Sequence, residues 1–198
     1  IDASVEEADK SIPVDEDTSR IWISEDGESL VFSTTGSGAL KTLDVETGET
    51  TDTRLPGFTP EFLFSVDSPG NEYIEAGSSH GLIHVGIMRG DGTVQMIQRL
   101  AEIPTDMHWC GESARLCWTT SSRGKLSCWD YPGGPVLELD VGDSPRAFCF
   151  SSPDHVAGIS RAGAEIFGAD VENMTMEWQL DSPGPMKDIE CGDGDELI

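Results

Sequence analysis

The chain has 198 residues, of which 37 are acidic and 12 basic, for a formal net charge of -25. That balance argues against docking along a nucleic acid backbone, where Lys and Arg must neutralise phosphates, and favours basic partners or a heavily solvated surface of the halophilic kind. Apolar residues make up 37% and arrive in short runs. No run approaches the roughly 18 apolar residues of a membrane span, and the opening Ile1-Asp2-Ala3-Ser4 has neither an initiator Met nor a signal-peptide core.

Residues 1 to 19 carry Glu6, Glu7, Asp9, Asp15, Glu16 and Asp17 among few apolar neighbours, the composition of an acidic flexible tail or linker. Order is expected to begin near Arg20. From there the pattern reads strand, turn, strand: Ile21 to Ser24, a turn at Glu25-Asp26-Gly27, Ser29 to Thr34, a Gly-rich turn, Gly38 to Val45, then Glu49 to Leu55. Three further stretches repeat the pattern, which gives blades at about 20–58, 59–103, 104–143 and 144–184, with a partial fifth over 185–198. The prolines Pro56, Pro60, Pro104, Pro145, Pro183 and Pro185 are all assigned to connections between these units, where no ladder donor is needed.

The repeat has a measurable period. Gly38-Ala39-Leu40, Gly81-Leu82-Ile83, Gly124-Lys125-Leu126 and Ala164-Glu165-Ile166 occupy matching positions, and Leu40, Ile83, Leu126 and Ile166 stand 43, 43 and 40 residues apart. A period of ~40 to 45 residues built only from strands points to an all-β propeller of four-stranded antiparallel blades, about four blades and the start of a fifth. The chain reads as a soluble excerpt of a longer polypeptide, with remaining blades supplied by further sequence or another chain.

Several spellings suggest chemistry. Gly77-Ser78-Ser79-His80-Gly81 has the Gly-x-Ser-x-Gly spacing of a nucleophile elbow, but Leu82 to Ile87 reads as a strand where an elbow needs a helix, so a hairpin turn is expected. Cys110, Cys117 and Cys128 with His80, His84 and His108 lack the Cys-x2-Cys pair of structural zinc sites. The five cysteines, odd in number and lying on predicted strands, are expected to be buried, inert thiols in a reducing compartment, cytoplasm or nucleus. Asp91-Gly92 and Asp193-Gly194-Asp195 are too short for a calcium loop, so no metal and no cofactor are expected. The five tryptophans fall in phase with apolar neighbours and are assigned to core packing.

Charge is distributed unevenly over the expected turns. Turns between second and third strands, and those between blades, emerge on one face, which places Arg123, Arg146, Arg161 and Lys187 together there. The other face collects Glu25, Asp26, Glu28, Glu46, Asp67, Glu72, Asp91, Glu112, Asp154 and Glu172. An Arg cluster on an acidic body suits bidentate capture of a carboxylate or phosphorylated motif.

Ile21-Trp22-Ile23-Ser24-Glu25-Asp26-Gly27 through Leu43-Asp44-Val45-Glu46-Thr47-Gly48-Glu49 resembles the WD40-repeat consensus, as does Lys125-Leu126-Ser127-Cys128-Trp129-Asp130; Phe150-Ser151-Ser152-Pro153-Asp154 is similar to that family's turn between first and second strands. One unit carries the literal Trp-Asp pair, and no Gly-His dipeptide opens a blade. The resemblance covers residues 20 to 198 and implies a rigid, non-enzymatic platform for other proteins of a complex; the charge and the short apolar runs add the expectation of no nucleic acid and no membrane. Phe58, His80, Arg123, Arg146, Arg161 and Lys187 are the expected protein-binding residues. The rival expectations are an acidic chaperone-like binder of basic proteins such as histones or ribosomal proteins, and a hydrolase working in a propeller's central channel.

Overall fold

The computed structural model describes residues 18–23, 27–34, 39–54, 58–66, 72–79, 81–89, 93–120, 122–143, 145–160 and 163–191. The proposed acidic tail therefore lies outside the described residues, apart from its last two positions. Among the described residues the regular elements are all strands. No helix of the described residues is long and apolar enough to cross a membrane.

The strands form four four-stranded antiparallel sheets, each made of consecutive strands. The first contains β1 (Thr18–Ile23), β2 (Ser29–Thr34), β3 (Ala39–Asp44) and β4 (Thr50–Arg54). β5 (Phe58–Val66), β6 (Glu72–Ser79), β7 (Leu82–Met88) and β8 (Val94–Leu100) form the second. The third comprises β9 (Asp106–Cys110), β10 (Arg115–Thr120), β11 (Lys125–Asp130) and β12 (Leu137–Asp140), and the fourth β13 (Pro145–Ser152), β14 (His155–Ser160), β15 (Glu165–Asp170) and β16 (Thr175–Asp181). This is the blade pattern of a β-propeller, about four blades long.

The sheets arise from short turns that the sequence spells out. Asp44 Oδ1 accepts the Thr47 amide at 2.7 Å, and Asp170 Oδ1 accepts the Asn173 amide at 2.9 Å, so an Asp at the end of β3 and of β15 folds the chain into the fourth strand of its sheet. Pro60 and Pro145 are corrections to the expected connections. Pro60 lies inside β5 and Pro145 opens β13. Both strands are first in their sheets, where one row of amides has no ladder partner and a proline costs little.

By contact density the described chain divides into two compact units. One holds the first sheet, residues 58–75 of the second sheet and residues 87–95. Its core is Val31, Leu40, Leu63 and Met88, with Trp22 and Tyr73 packed against them. Arg20 forms an ion pair with Glu61 and also donates to its backbone carbonyl at 3.1 Å.

The other unit holds residues 76–86 and 96–198, with the third and fourth sheets entire. Between those two sheets lie Cys117, Leu126, Cys128, Val141, Phe148, Val156, Phe167, Ala169 and Val171, all buried. Every residue of β10 is buried, whereas β12 is exposed or half-exposed along its length. That gradient from inner to outer strand is what stacked blades require: inner strands are covered on both faces, and the fourth is a solvated edge.

Four of the five cysteines are bonded, which corrects the expectation of buried free thiols. Cys117 and Cys128 face each other across β10 and β11, with Cα atoms 4.2 Å apart, and form a disulfide. Cys149 on β13 is joined to Cys191, 42 residues later. Cys110 is free. Residues 182–191 stay against the fourth sheet: Met186, Ile189 and Cys191 pack with Ala147, Cys149, Ala157 and Ile159; the rest of the expected partial fifth blade, 192–198, lies outside the described residues.

Candidate docking face

Within the second unit, backbone and side-chain bonds sort the connections into two groups. The Val141 amide donates to the Gly124 carbonyl at 3.0 Å, Ser182 to Ala164 at 2.7 Å and Met186 to Gly163 at 3.1 Å. Thr105 Oγ1 bridges to the Pro145 carbonyl at 3.2 Å. One end of the sheets therefore carries 101–105, 122–124, 141–143, 145, 163–164 and 182–186. Gly163 is needed for this closure: φ is +67°, and a Cβ there would sit 2.6 Å from the Met186 carbonyl oxygen.

The expected basic residues behave differently from one another. Arg123 lies at this end, and its guanidinium is 3.8 Å from Glu138, which also takes Lys125 at 3.3 Å. Its charge is shared with its own blade. Arg146 and Lys187 are exposed, and neither forms an ion pair with a described residue. Arg161 and His80 fall outside the described residues, as does the side chain of Phe58 at the start of β5.

A shallow cleft beside Arg123 is lined by Gln98, Leu100, Glu102, Trp118, Thr120 and Glu138 among others. A second, open cleft has Leu82, Ile83 and Leu100 around Arg99. The first cleft sets Arg123 among the carboxylates of Glu102 and Glu138, whereas the lining of the second has Arg99 beside apolar residues and no acidic side chain.

At the opposite end Tyr131 donates to Ala114 at 2.9 Å and Val171 to Asp154 at 2.8 Å, grouping 111–114, 131–136, 153–154 and 171–174. Arg115 is the residue that sequence reasoning missed. It is buried, with its side chain 2.6 Å from Asp130 on the neighbouring strand and 3.4 Å from Asp154 on the next blade. Burial works against the guanidinium's charge, but the hydrogen bond to Asp130 and the charges of Asp130, Asp154 and Glu172 outweigh it and raise its pKa above the ordinary value. Part of the acidic face thus serves as a clamp between blades. The signal for it was an Arg opening the apolar run Leu116-Cys117-Trp118.

Asp106 is the matching clamp at the first end. Oδ1 accepts the Met107 amide at 2.9 Å, while Oδ2 accepts the Phe148 amide of the fourth sheet at 2.9 Å and contacts His108 Nε2 at 3.1 Å. The two clamps fix the third and fourth sheets to each other by charge-assisted bonds. Of the Gly-x-Ser-x-Gly segment, Gly77 to Ser79 end β6 and Gly81 directly precedes β7, so a strand follows where an elbow needs a helix. Trp118 and Trp129 are buried in the core, as expected.

No protein-family model and no curated protein sequence matches the chain. Solved structures do. The chain is similar to one from the crystal structure of a nidogen/laminin complex, with a TM-score of 0.62 and 11% identity over 82% of this chain and 62% of that one. It is similar to one from the mitotic checkpoint complex at 0.64 and 14% over 91% and 58%, and to Hsv2 of Kluyveromyces lactis at 0.62 and 14% over 87% and 54%. The chain thus spans 54% to 62% of the length of these solved chains. Propeller-type proteins are among these neighbours, and the likeness shows that this chain has the fold of a β-propeller.

Proposed function

We propose that the chain is a non-enzymatic, WD40-like scaffold that docks other proteins of a complex on the loop end bearing Arg146 and Lys187. The observation that carries this reading is a pair of exposed cations, free of ion pairs with described residues, on a rigid and otherwise strongly acidic frame. A partner presenting a carboxylate or phosphorylated motif would meet these cations without first having to break an ion pair to a described residue. That two structural neighbours come from a nidogen/laminin complex and a mitotic checkpoint complex supports a role in assemblies. The Trp129-Asp130 pair and the Asp-led turns favour the WD40 kind of blade.

The compartment is part of the same proposal. Reduced thiols were the reason to expect cytoplasm or nucleus. Two disulfides favour an oxidising compartment instead.

Capture of partners by the full-length protein from native extract, run beside an Arg146→Glu/Lys187→Glu variant, tests the docking claim. The expected result is a defined partner set whose retention falls at least about tenfold on charge reversal, more steeply at low salt. Partners that survive the reversal but are lost on deleting residues 1–19 would replace the reading by the acidic binder of basic proteins.

A further inference from the structure

We propose that the fourth blade carries a binding site for a divalent transition-metal ion of the Zn2+ type, formed by His155, Asp170 and Glu177. One ligand atom from each of the three lies within 4.8 Å of the others. The three come from three successive strands, which register and a bulge bring onto one face. His155 opens β14 directly opposite Asp170 at the end of β15, so their side chains share a face of the sheet.

Glu177 joins them through an irregularity. Between β15 and β16, Ala169 pairs with Met176 but Gly168 pairs with Trp178, so Glu177 is the extra residue of a bulge. Bulged residues are turned toward a face that regular alternation would deny to one of the pair. Trp178 lies over Gly168, where an added Cβ would come within 2.1 Å of the indole ring. With the glycine opening that space, Glu177 is left beside His155, its Oε1 3.4 Å from Nε2.

Neighbouring groups orient two of the three ligands, His155 and Asp170. Ser152 Oγ lies 3.1 Å from His155 Nδ1, on the far side of the ring from Glu177. A proton on Nδ1 shared with Ser152 leaves the Nε2 lone pair facing the carboxylates, the arrangement that orients metal-bound imidazoles. Asp170 Oδ1 is occupied by the amides of Glu172 and Asn173, both at 2.9 Å, and Oδ2 takes Asn173 Nδ2 at 2.8 Å. Oδ2 retains a second lone pair for a cation.

Ligand atoms around a four-coordinate ion at ~2.1 Å stand ~3.4 Å apart. The His155 and Glu177 pair already has that spacing, and Glu177 is exposed enough to rotate the remainder. The net charge of -25 concentrates cations at such a surface. A nitrogen ligand beside two carboxylates favours Zn2+ over Ca2+ or Mg2+, and three protein ligands leave a fourth position for water.

The test is calorimetric titration of the chain with ZnCl2 in about 0.15 M salt, which screens diffuse cation binding, with CaCl2 and Co2+ absorption as comparators. The expected result is one Zn2+ per chain, weakened at least about tenfold by His155→Asn or Glu177→Gln and about tenfold or more by Ser152→Ala, which removes only the orienting contact. Co2+ should give visible bands that vanish in His155→Asn. Circular dichroism of each variant confirms folding, because these half-exposed side chains contribute little to the core. Absence of stoichiometric Zn2+ binding, equal affinity in the folded variants, or Ca2+ binding as tightly as Zn2+ would each overturn the site.

Discussion

Phe148→Ala is expected to destabilise the second unit by about 3 to 5 kcal/mol, read as a drop in urea midpoint without a change in slope. Phe148 is 1% exposed and sits in the cluster that joins the third and fourth sheets. Its ring meets His108 edge-on at 4.8 Å and Phe150 at 6.4 Å. Its amide is tied to Asp106, so the backbone cannot move in to fill the void. The cost is therefore lost transfer energy together with a persistent cavity. A loss below about 1 kcal/mol would mean that the two sheets do not depend on a shared core.

Cys191→Ala should cost about 4 kcal/mol in the oxidised protein, from the entropy that a 42-residue loop regains when the bond to Cys149 is absent. The bond holds Met186 and Ile189 against the fourth sheet, so part of the loss should show as faster proteolysis after Asp181. Reductant should remove the difference between variant and parent. Alkylation without reduction should modify one cysteine of five, Cys110. Five modified cysteines, or equal stability of variant and parent without reductant, would show that the native protein lacks these bonds.

Much of the fold was legible because blades are local. Described turns such as that of Asp44 with Thr47 are closed by residues a few positions apart, and the 43-residue spacing of Leu40, Ile83 and Leu126 repeats one local solution. What sequence could not supply depends on register and on contacts between blades. Cys117 and Cys128 become partners only once β10 and β11 are aligned residue by residue. Arg115 looks like an interruption of an apolar run until Asp154 of the next blade is seen beside it. Pro60 was misplaced because a proline is excluded only from strands paired on both sides, and β5 is paired on one.

The candidate docking residues were read from turn positions alone. Turn position put Arg123 at the loop end, but it could not show that Glu138 shares its charge. The metal ligands escaped because His155, Asp170 and Glu177 are separated by ordinary strand residues, and a bulge has no spelling of its own.

The central claim is that partners dock on the loop end near Arg146 and Lys187. Hydrogen exchange of the chain, measured free and in complex with a captured partner, tests it most directly. The account predicts slowed exchange at 122–124, 141–146 and 182–187, with 111–114, 131–136 and 171–174 unchanged. Protection confined to that second set, or to residues 1–17, would contradict it.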